Sequence, residues 1–229
     1  MLSQFLDSVI PFYCLVCGAA SEAKKALCEG CQQDLPWLGQ VCSCCSVPLS
    51  GKSIGLCGAC QQKQPAFDRI HALFHYQPPI DHMITGLKFH DRLVNAMLMG
   101  RLLAEHMEKN KIAPPDALLP VPLHQHRMRE RGFNQALELA RPLAKAWQIP
   151  LLTSPVMRTR ATQAQMGLPA RQRHKNIRGA FTCADQLMFK RVGIIDDVVT
   201  TGSTVNELAR VLKHYGVEQV DVFTIARVG

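Results

Sequence analysis

Four Cys-x-x-Cys pairs crowd into the first quarter of the chain: Cys14/Cys17, Cys28/Cys31, Cys42/Cys45 and Cys57/Cys60, with Cys44 inside the third pair. Of ten cysteines in 229 residues, only Cys183 lies beyond residue 60. A Cys-x-x-Cys turn aims two thiolates at one ion, and Zn²⁺ takes four such ligands tetrahedrally, so the eight paired cysteines can close two structural Cys₄ sites. The intervals "GAASEAKKAL" and "SVPLSGKSIGL" hold few large apolar residues, so this segment needs metal to fold. A thioredoxin-like redox motif would be one pair beside a βαβ pattern, not four pairs. Spacing leaves two pairings open: neighbouring pairs sharing a zinc, or first with third and second with fourth. Either way, residues 1–64 read as a double zinc ribbon.

Charge divides at the same place. Residues 1–60 hold three Lys or Arg and four Asp or Glu, about −1, so the formal +8 of the whole chain leaves +9 for the remainder. That basic surface suits a polyanionic partner, either nucleic acid or a phosphorylated ligand, and it also suits plain solubility. "MLSQFLDSVIPFYC" has no basic opening and no small-residue cleavage site, and no apolar run reaches the ~18 residues that span a bilayer. The expectation is a cytoplasmic protein with no membrane insertion, where clustered thiols bind metal rather than form disulfides.

Beyond Gln61 the pattern alternates. A helix with Leu93, Met97, Ala104 and Met107 at helical spacing is followed by "ALLPVPLH" as a short buried strand. "RERGFNQALELARPLAKAWQ" reads as a helix, and "IPLLTSPVM" and "KRVGIID" as strands. Thr204-x-x-Glu207 reads as a capping box for a helix with Val205, Leu208, Leu212 and Tyr215 inward, stopped by Gly216, and "VEQVDVFTIARV" as a last strand. Alternation of this kind gives an α/β fold with a parallel sheet over residues 65–229.

In such sheets ligands sit beyond the carboxyl ends of the strands. "VGIIDDVVTTGST", residues 192–204, places Asp196 and Asp197 there, followed by Thr200, Thr201, Gly202, Ser203 and Thr204. Small residues let backbone N–H groups converge, and the following helix adds its positive end, which makes a phosphate cradle. Two acids beside such a cradle suit a ribose 5-phosphate, with the phosphate on the loop and the 2- and 3-hydroxyls donating to Asp196 and Asp197.

The same stretch resembles the phosphoribosyl pyrophosphate (PRPP) signature of type I phosphoribosyltransferases. Together with the cysteine-rich head, "PVPLHQHRMRERGFNQA" and "RTRATQAQMGLPARQRHKNIRGAF", the chain resembles the ComF (ComF/GntX) family over nearly its whole length. The resemblance implies a double zinc ribbon before a type I phosphoribosyltransferase-like domain, and a role in natural transformation, handling incoming single-stranded DNA in the cytoplasm with the DNA-uptake machinery. It also implies that Val121, Pro122 and Leu123 contact pyrophosphate through their backbone, that PRPP binds with Mg²⁺, and that Arg158 and Arg160 lie on a loop that closes over the reaction centre.

Residues 155–180 carry Arg158, Arg160, Arg171, Arg173, Lys175 and Arg178 without one acid, and Arg127, Arg129 and Arg131 alternate upstream. These cations suit a departing pyrophosphate, a DNA backbone or plain solvation. No histidine is needed as a metal ligand, and Tyr76, Phe133, Trp147 and Phe181 read as core. Residues 65–113 are the stretch able to supply a hood for an acceptor. Two alternatives stand beside a transferase: a non-catalytic DNA or protein adaptor that keeps the fold, and a nucleotide-salvage phosphoribosyltransferase.

Overall fold

The computed structural model describes residues 12–21, 26–49, 55–159, 177–184 and 186–229. Its centre is a four-stranded parallel sheet in the order β3-β8-β7-β4, built from β3 (Arg69–His75), β4 (Ala117–Pro120), β7 (Arg191–Val199) and β8 (Gln219–Arg227). The last strand of the chain therefore lies inside the sheet, and its burial on nearly every residue follows from having neighbours on both edges and layers on both faces.

One face carries α3 (Ile80–Phe89), α4 (Leu93–Lys109) and α6 (Gln135–Trp147), packed on Leu73, Leu118, Ile195, Phe223 and Ile225. The other carries α7 (Ser203–His214), packed on Ile70, Leu119, Ile194, Val220 and Val222. Gly100 of α4 sits where a Cβ would lie 2.6 Å from the Leu139 carbonyl oxygen of α6, so glycine is what allows those helices to approach this closely.

The cysteine-rich head contributes the two-stranded β1 (Phe12–Tyr13) and β2 (Ala20–Ser21), with α1 (Glu29–Gln33) and α2 (Gly58–Gln62). It covers the outer edge of β3. Leu38 N–H donates to the Leu73 carbonyl at 2.8 Å, His75 N–H to Pro36 at 2.8 Å and Ile70 N–H to Cys44 at 2.7 Å. Trp37 stacks tilted on Phe74, ring centroids 4.5 Å apart. Bare edge strands invite unwanted pairing, and the head removes that hazard. Cys14, Leu27 and Leu35 join the core on the α3/α4 face, whereas Cys42, Cys44 and Cys45 join the core on the α7 face.

Several details differ from the sequence-based expectations. β3 went unread, because the adjacent buried Leu73 and Phe74 in "RIHALFH" break the strict alternation of a half-buried strand. The helical stretch before residue 110 is two helices, and its core face is Ala96, Met99, Leu103 and Met107; Leu93 and Met97 are exposed. "RERGFNQALELARPLAKAWQ" breaks in two: α5 (Gln125–Arg131) ends at Gly132, whose φ of 72° caps it in the left-handed region, and Asn134 starts α6 by accepting the Ala136 N–H at 3.0 Å. "IPLLTSPVM" gives a single bridge from Leu151 to Leu118 and then β5 (Val156–Arg158), which pairs antiparallel with β6 (Phe181–Cys183). The capping box does not form. α7 begins at Ser203 after Gly202 at φ 76°, and Glu207 instead accepts the Gly179 N–H at 2.7 Å and pairs with Arg210.

Candidate functional site

The strand ends of the sheet open into a cleft of about 750 Å³. β7 does not stop at the acids but continues two residues further, so Asp196 and Asp197 are held in a strand, and Asp197 is only 3% exposed. For Asp197 this corrects the expectation that both lie out of the core; Asp196 is half-buried and lines the cleft. Each carboxylate first turns onto its own backbone: Asp196 Oδ1 accepts the Asp197 N–H at 2.9 Å, and Asp197 Oδ1 accepts the Val198 N–H at 2.8 Å. The buried charge of Asp197 is matched by Lys88 of α3, whose Nζ lies 2.6 Å from Oδ2. Burial, and then the charge of Asp197, pushes the Asp196 carboxyl up to about 8, against a smaller lowering by Lys88.

Next to the acids, Asp196, Thr200, Gly202, Ser203 and Thr204 line a cavity of about 40 Å³ at the start of α7. Gly202 is required there by its positive φ, and Thr201 and Ser203 hydroxyls hydrogen-bond each other at 2.7 Å across the turn. Small side chains, a left-handed glycine and a helix start at one spot form an anion-sized recess. On the β4 side, Val121 N–H donates to the Ile195 carbonyl at 2.9 Å, and the Val121 carbonyl accepts Asn134 Nδ2 at 3.1 Å. Those bonds fix the Val121–Leu123 turn beside the acids.

Arg127, Arg131 and Arg158 also line the cleft. Arg158 is buried to 8% exposure with its guanidinium 5.7 Å from the Phe181 ring centroid, and burial, then proximity to Arg127, lowers it to about 10. It stays protonated at neutral pH. Arg131 lies 5.4 Å from the Phe89 ring centroid and is lowered mainly by burial, partly offset by Asp197. The cleft therefore sets Asp196 and Asp197 at its floor against Arg127, Arg131 and Arg158, with Lys88, Asp91 and Glu130 also in its lining.

Of the sequence-based candidates, Val121, Leu123, Arg127, Arg131, Arg158, Asp196, Asp197, Thr200 and Thr204 line this cleft, and Gly202 and Ser203 line the smaller recess. Pro122, Thr201, Arg129 and Arg178 do not contribute to either lining; Arg178 instead acts on Glu207 of α7, where burial would raise the carboxyl and Arg210 and the Gly179 amide hold it low. Arg160, Arg171, Arg173 and Lys175 lie outside the described residues. Lys88, Phe89, Tyr76, Asp91 and Glu130 also line the cleft and were missed. The signal for Lys88, Phe89 and Asp91 was present in "GLKFHDR", a cation and an aromatic at a helix end within the 65–113 stretch; Tyr76 lies outside that run. Tyr76 corrects the core expectation: it is 40% exposed in the cleft, whereas Phe181 is buried.

In the head, the structure groups Cys14, Cys17, Cys28 and Cys31, and separately Cys42, Cys45, Cys57 and Cys60, with all sulfurs of each group within 4.8 Å of one another. The neighbouring pairs come together. A tetrahedral ion with Zn–S of ~2.3 Å sets its sulfurs ~3.8 Å apart, and Cys17–Cys28 and Cys45–Cys57 lie at 3.8 and 3.7 Å. Both groups fit structural zinc, which would cross-link the loops and do no chemistry. Among the described residues no helix is long and apolar enough to cross a membrane.

Residues 5–61 match the family model of the double zinc ribbon domain. These features define a class: a zinc-ribbon head fused to a parallel α/β domain with a strand-end cleft of paired acids and arginines. Within that class the chain belongs to the ComF family. It is 34% identical over 224 residues to competence protein F of Haemophilus influenzae, covering 94% of this chain and 97% of that one. It is 35% identical to the DNA utilization protein YhgH of Escherichia coli K12 over 93% of this chain and 89% of that one, and 24% identical to competence protein ComFC of Streptococcus pneumoniae over 93% and 99%. A purine phosphoribosyltransferase from Pyrococcus horikoshii superposes with a TM-score of 0.33 at 18% identity over 57% of this chain and 80% of that one, too slight a likeness to carry an argument.

Proposed function

We propose that this protein is a ComF-like competence protein whose cleft binds PRPP and which handles incoming single-stranded DNA in the cytoplasm. The observation that carries the ligand reading is the juxtaposition of the Asp196/Asp197 floor with the recess at Thr200–Thr204 and three cleft arginines. The 5-phosphate sits in the recess and the ribose hydroxyls meet the acids. Asp196, holding its proton, can donate as well as accept, whereas Asp197 accepts in company with Lys88. The pyrophosphate lies along the Val121–Leu123 turn under Arg127, Arg131 and Arg158. Mg²⁺ would come with the pyrophosphate rather than be held by Asp196 or Asp197, since Lys88 already pairs with Asp197, and it would supply charge neutralisation for the leaving group.

Transfer at this site is a displacement at C1 of the ribose: an acceptor lone pair forms the new bond, the C1–O bond to pyrophosphate breaks, and the electron pair leaves with pyrophosphate. The arginines stabilise that leaving charge, and Asp196 and Asp197 hold the sugar rather than remove a proton. Residues 65–229 form the phosphoribosyltransferase-like unit and residues 1–64 the zinc-ribbon unit that docks on it. The basic residues Arg127, Arg129, Arg131, Arg171, Arg173, Lys175 and Arg178 track a DNA backbone.

A second reading, an adaptor that keeps the fold without transfer, draws on the Lys88–Asp197 pair, which already occupies one of the two acids. Two titrations of the zinc-loaded protein test the ligand and nucleic-acid parts of these readings. Calorimetry with PRPP and Mg²⁺ gives micromolar binding under the first. Anisotropy of a labelled single-stranded oligonucleotide gives salt-dependent binding under both; salt-independent or absent binding overturns the nucleic-acid part.

A further inference from the structure

Besides the backbone bonds along β3, one buried side chain bridges the head and the turn that follows β7. Arg227, the last residue of β8, is 7% exposed, yet the cleft reading gives it no task. Its Nε donates to the carbonyl of Cys45 at 2.9 Å, and Cys45 belongs to the second Cys₄ group. Its Nη1 donates to the carbonyls of Val199 at 3.2 Å, Thr200, and Val228 at 2.6 Å. Val199 and Thr200 lead from β7 into the turn of the anion-sized recess, and both line it. The guanidinium is a rigid planar fork, so donors on one side fix the direction of donors on the other.

We propose that Arg227 is a positioning residue that couples the second zinc site to the ligand loop. Peptide groups are planar, so holding the Val199 and Thr200 carbonyls from behind fixes the planes that lead into the 200–204 turn. Zinc on Cys42, Cys45, Cys57 and Cys60 fixes the Cys45 carbonyl, which in turn anchors Nε. An unligated second site frees that anchor, and the loop loses its register. Coupling of this kind is reciprocal: a ligand on the loop raises zinc retention at the second site as much as zinc raises ligand affinity. The first Cys₄ group makes no such contact among the described residues and lacks this effect. The ligand consequence rests on the proposed PRPP reading, but the loop consequence does not.

The test follows the Asn206 amide, which donates to the Gly202 carbonyl at 2.9 Å and so reports loop order. Amide exchange is measured by NMR on the zinc-loaded full chain for wild type, Arg227→Gln, Arg227→Lys, Cys60→Ser and the Arg227→Gln/Cys60→Ser double variant. Arg227→Gln should speed Asn206 exchange about tenfold or more with two zinc ions per chain retained and β7 amides unchanged. Arg227→Lys should fall between, and Cys60→Ser should give a smaller rise that adds nothing in the double variant. Wild-type exchange in Arg227→Gln, multiplicative rises in the double variant, or faster exchange throughout β7 overturns the proposal. PRPP titration of the same proteins keeps the two claims apart: no binding by wild type counts against the ligand reading alone, while wild-type affinity in Arg227→Gln counts against the coupling.

Discussion

Lys88 Nζ and Asp197 Oδ2 lie 2.6 Å apart, joining the end of α3 to the interior of β7 at the cleft floor. The side chain of Asp197 is 5% exposed and that of Lys88 23%, so the lysine supplies the counter-charge that lets a carboxylate stay in the strand. Removing one partner leaves an uncompensated buried charge, which costs more than the pair itself contributes. Lys88→Met should therefore destabilise by about 1–3 kcal/mol in urea unfolding, and Lys88→Met/Asp197→Asn should recover most of it. A double variant as unstable as the sum of both singles would contradict the pairing.

Asp196 makes stability depend on pH in a defined direction. The folded protein holds its proton up to about 8, against an ordinary value of 3.8. Its contribution is thus complete below about pH 4 and is lost as pH rises through 8. With zinc in excess, the stability of wild type relative to Asp196→Asn should fall between pH 5 and 8 with a slope of at most about 1.4 kcal/mol per pH unit. Parallel stability curves for the two proteins would show that the carboxyl titrates normally.

The head should respond one site at a time. Cys31→Ser and Cys60→Ser should each reduce bound zinc from two ions to one, measured by elemental analysis. Because Ile70 donates to Cys44 and His75 to Pro36, loss of the second site should speed exchange of the Ile70 amide and loss of the first that of His75. Equal effects of both variants on both amides would mean that the head behaves as one unit.

Helix approach gives a packing test. At Gly100 an added Cβ would meet the Leu139 carbonyl oxygen at 2.6 Å and Pro142 Cγ at 2.9 Å, backbone and ring atoms that cannot rotate away. Gly193→Ala would meet side-chain atoms, Leu118 Cδ2 at 2.7 Å and Phe223 Cε2 at 2.8 Å. Both should destabilise by about 1–3 kcal/mol, Gly100→Ala the more. The reverse order in thermal unfolding would show that α4 and α6 separate more easily than the sheet repacks.

Much of this was legible where chemistry fixes spacing. Cys-x-x-Cys turns and the Asp-Asp-x-x-Thr-Thr-Gly-Ser-Thr stretch announce themselves because a zinc ion and an anion recess tolerate few alternatives. What stayed hidden depends on partners distant in sequence. Lys88 is an ordinary helix-end lysine until β7 brings Asp197 to it, and Arg227 looks like a terminal surface arginine until Cys45 and Thr200 converge on it. Glu207 looked like a capping-box acid, but the Gly179 amide and Arg210 offered it better partners than the helix start. β3 hid because its buried Leu73 and Phe74 are adjacent, which breaks the alternation a half-buried strand shows, and because His71 finds its place stacked on Phe223 of β8, a partner distant in sequence.

The central claim is that Asp196 and Asp197 hold the sugar of PRPP at this strand end. Calorimetric titration of the zinc-loaded protein with PRPP and Mg²⁺, repeated on Asp196→Asn/Asp197→Asn, tests it most directly. Micromolar binding by wild type that is abolished in a variant with unchanged zinc content and fold is the predicted result; equal binding by both proteins, or none by wild type, would contradict it.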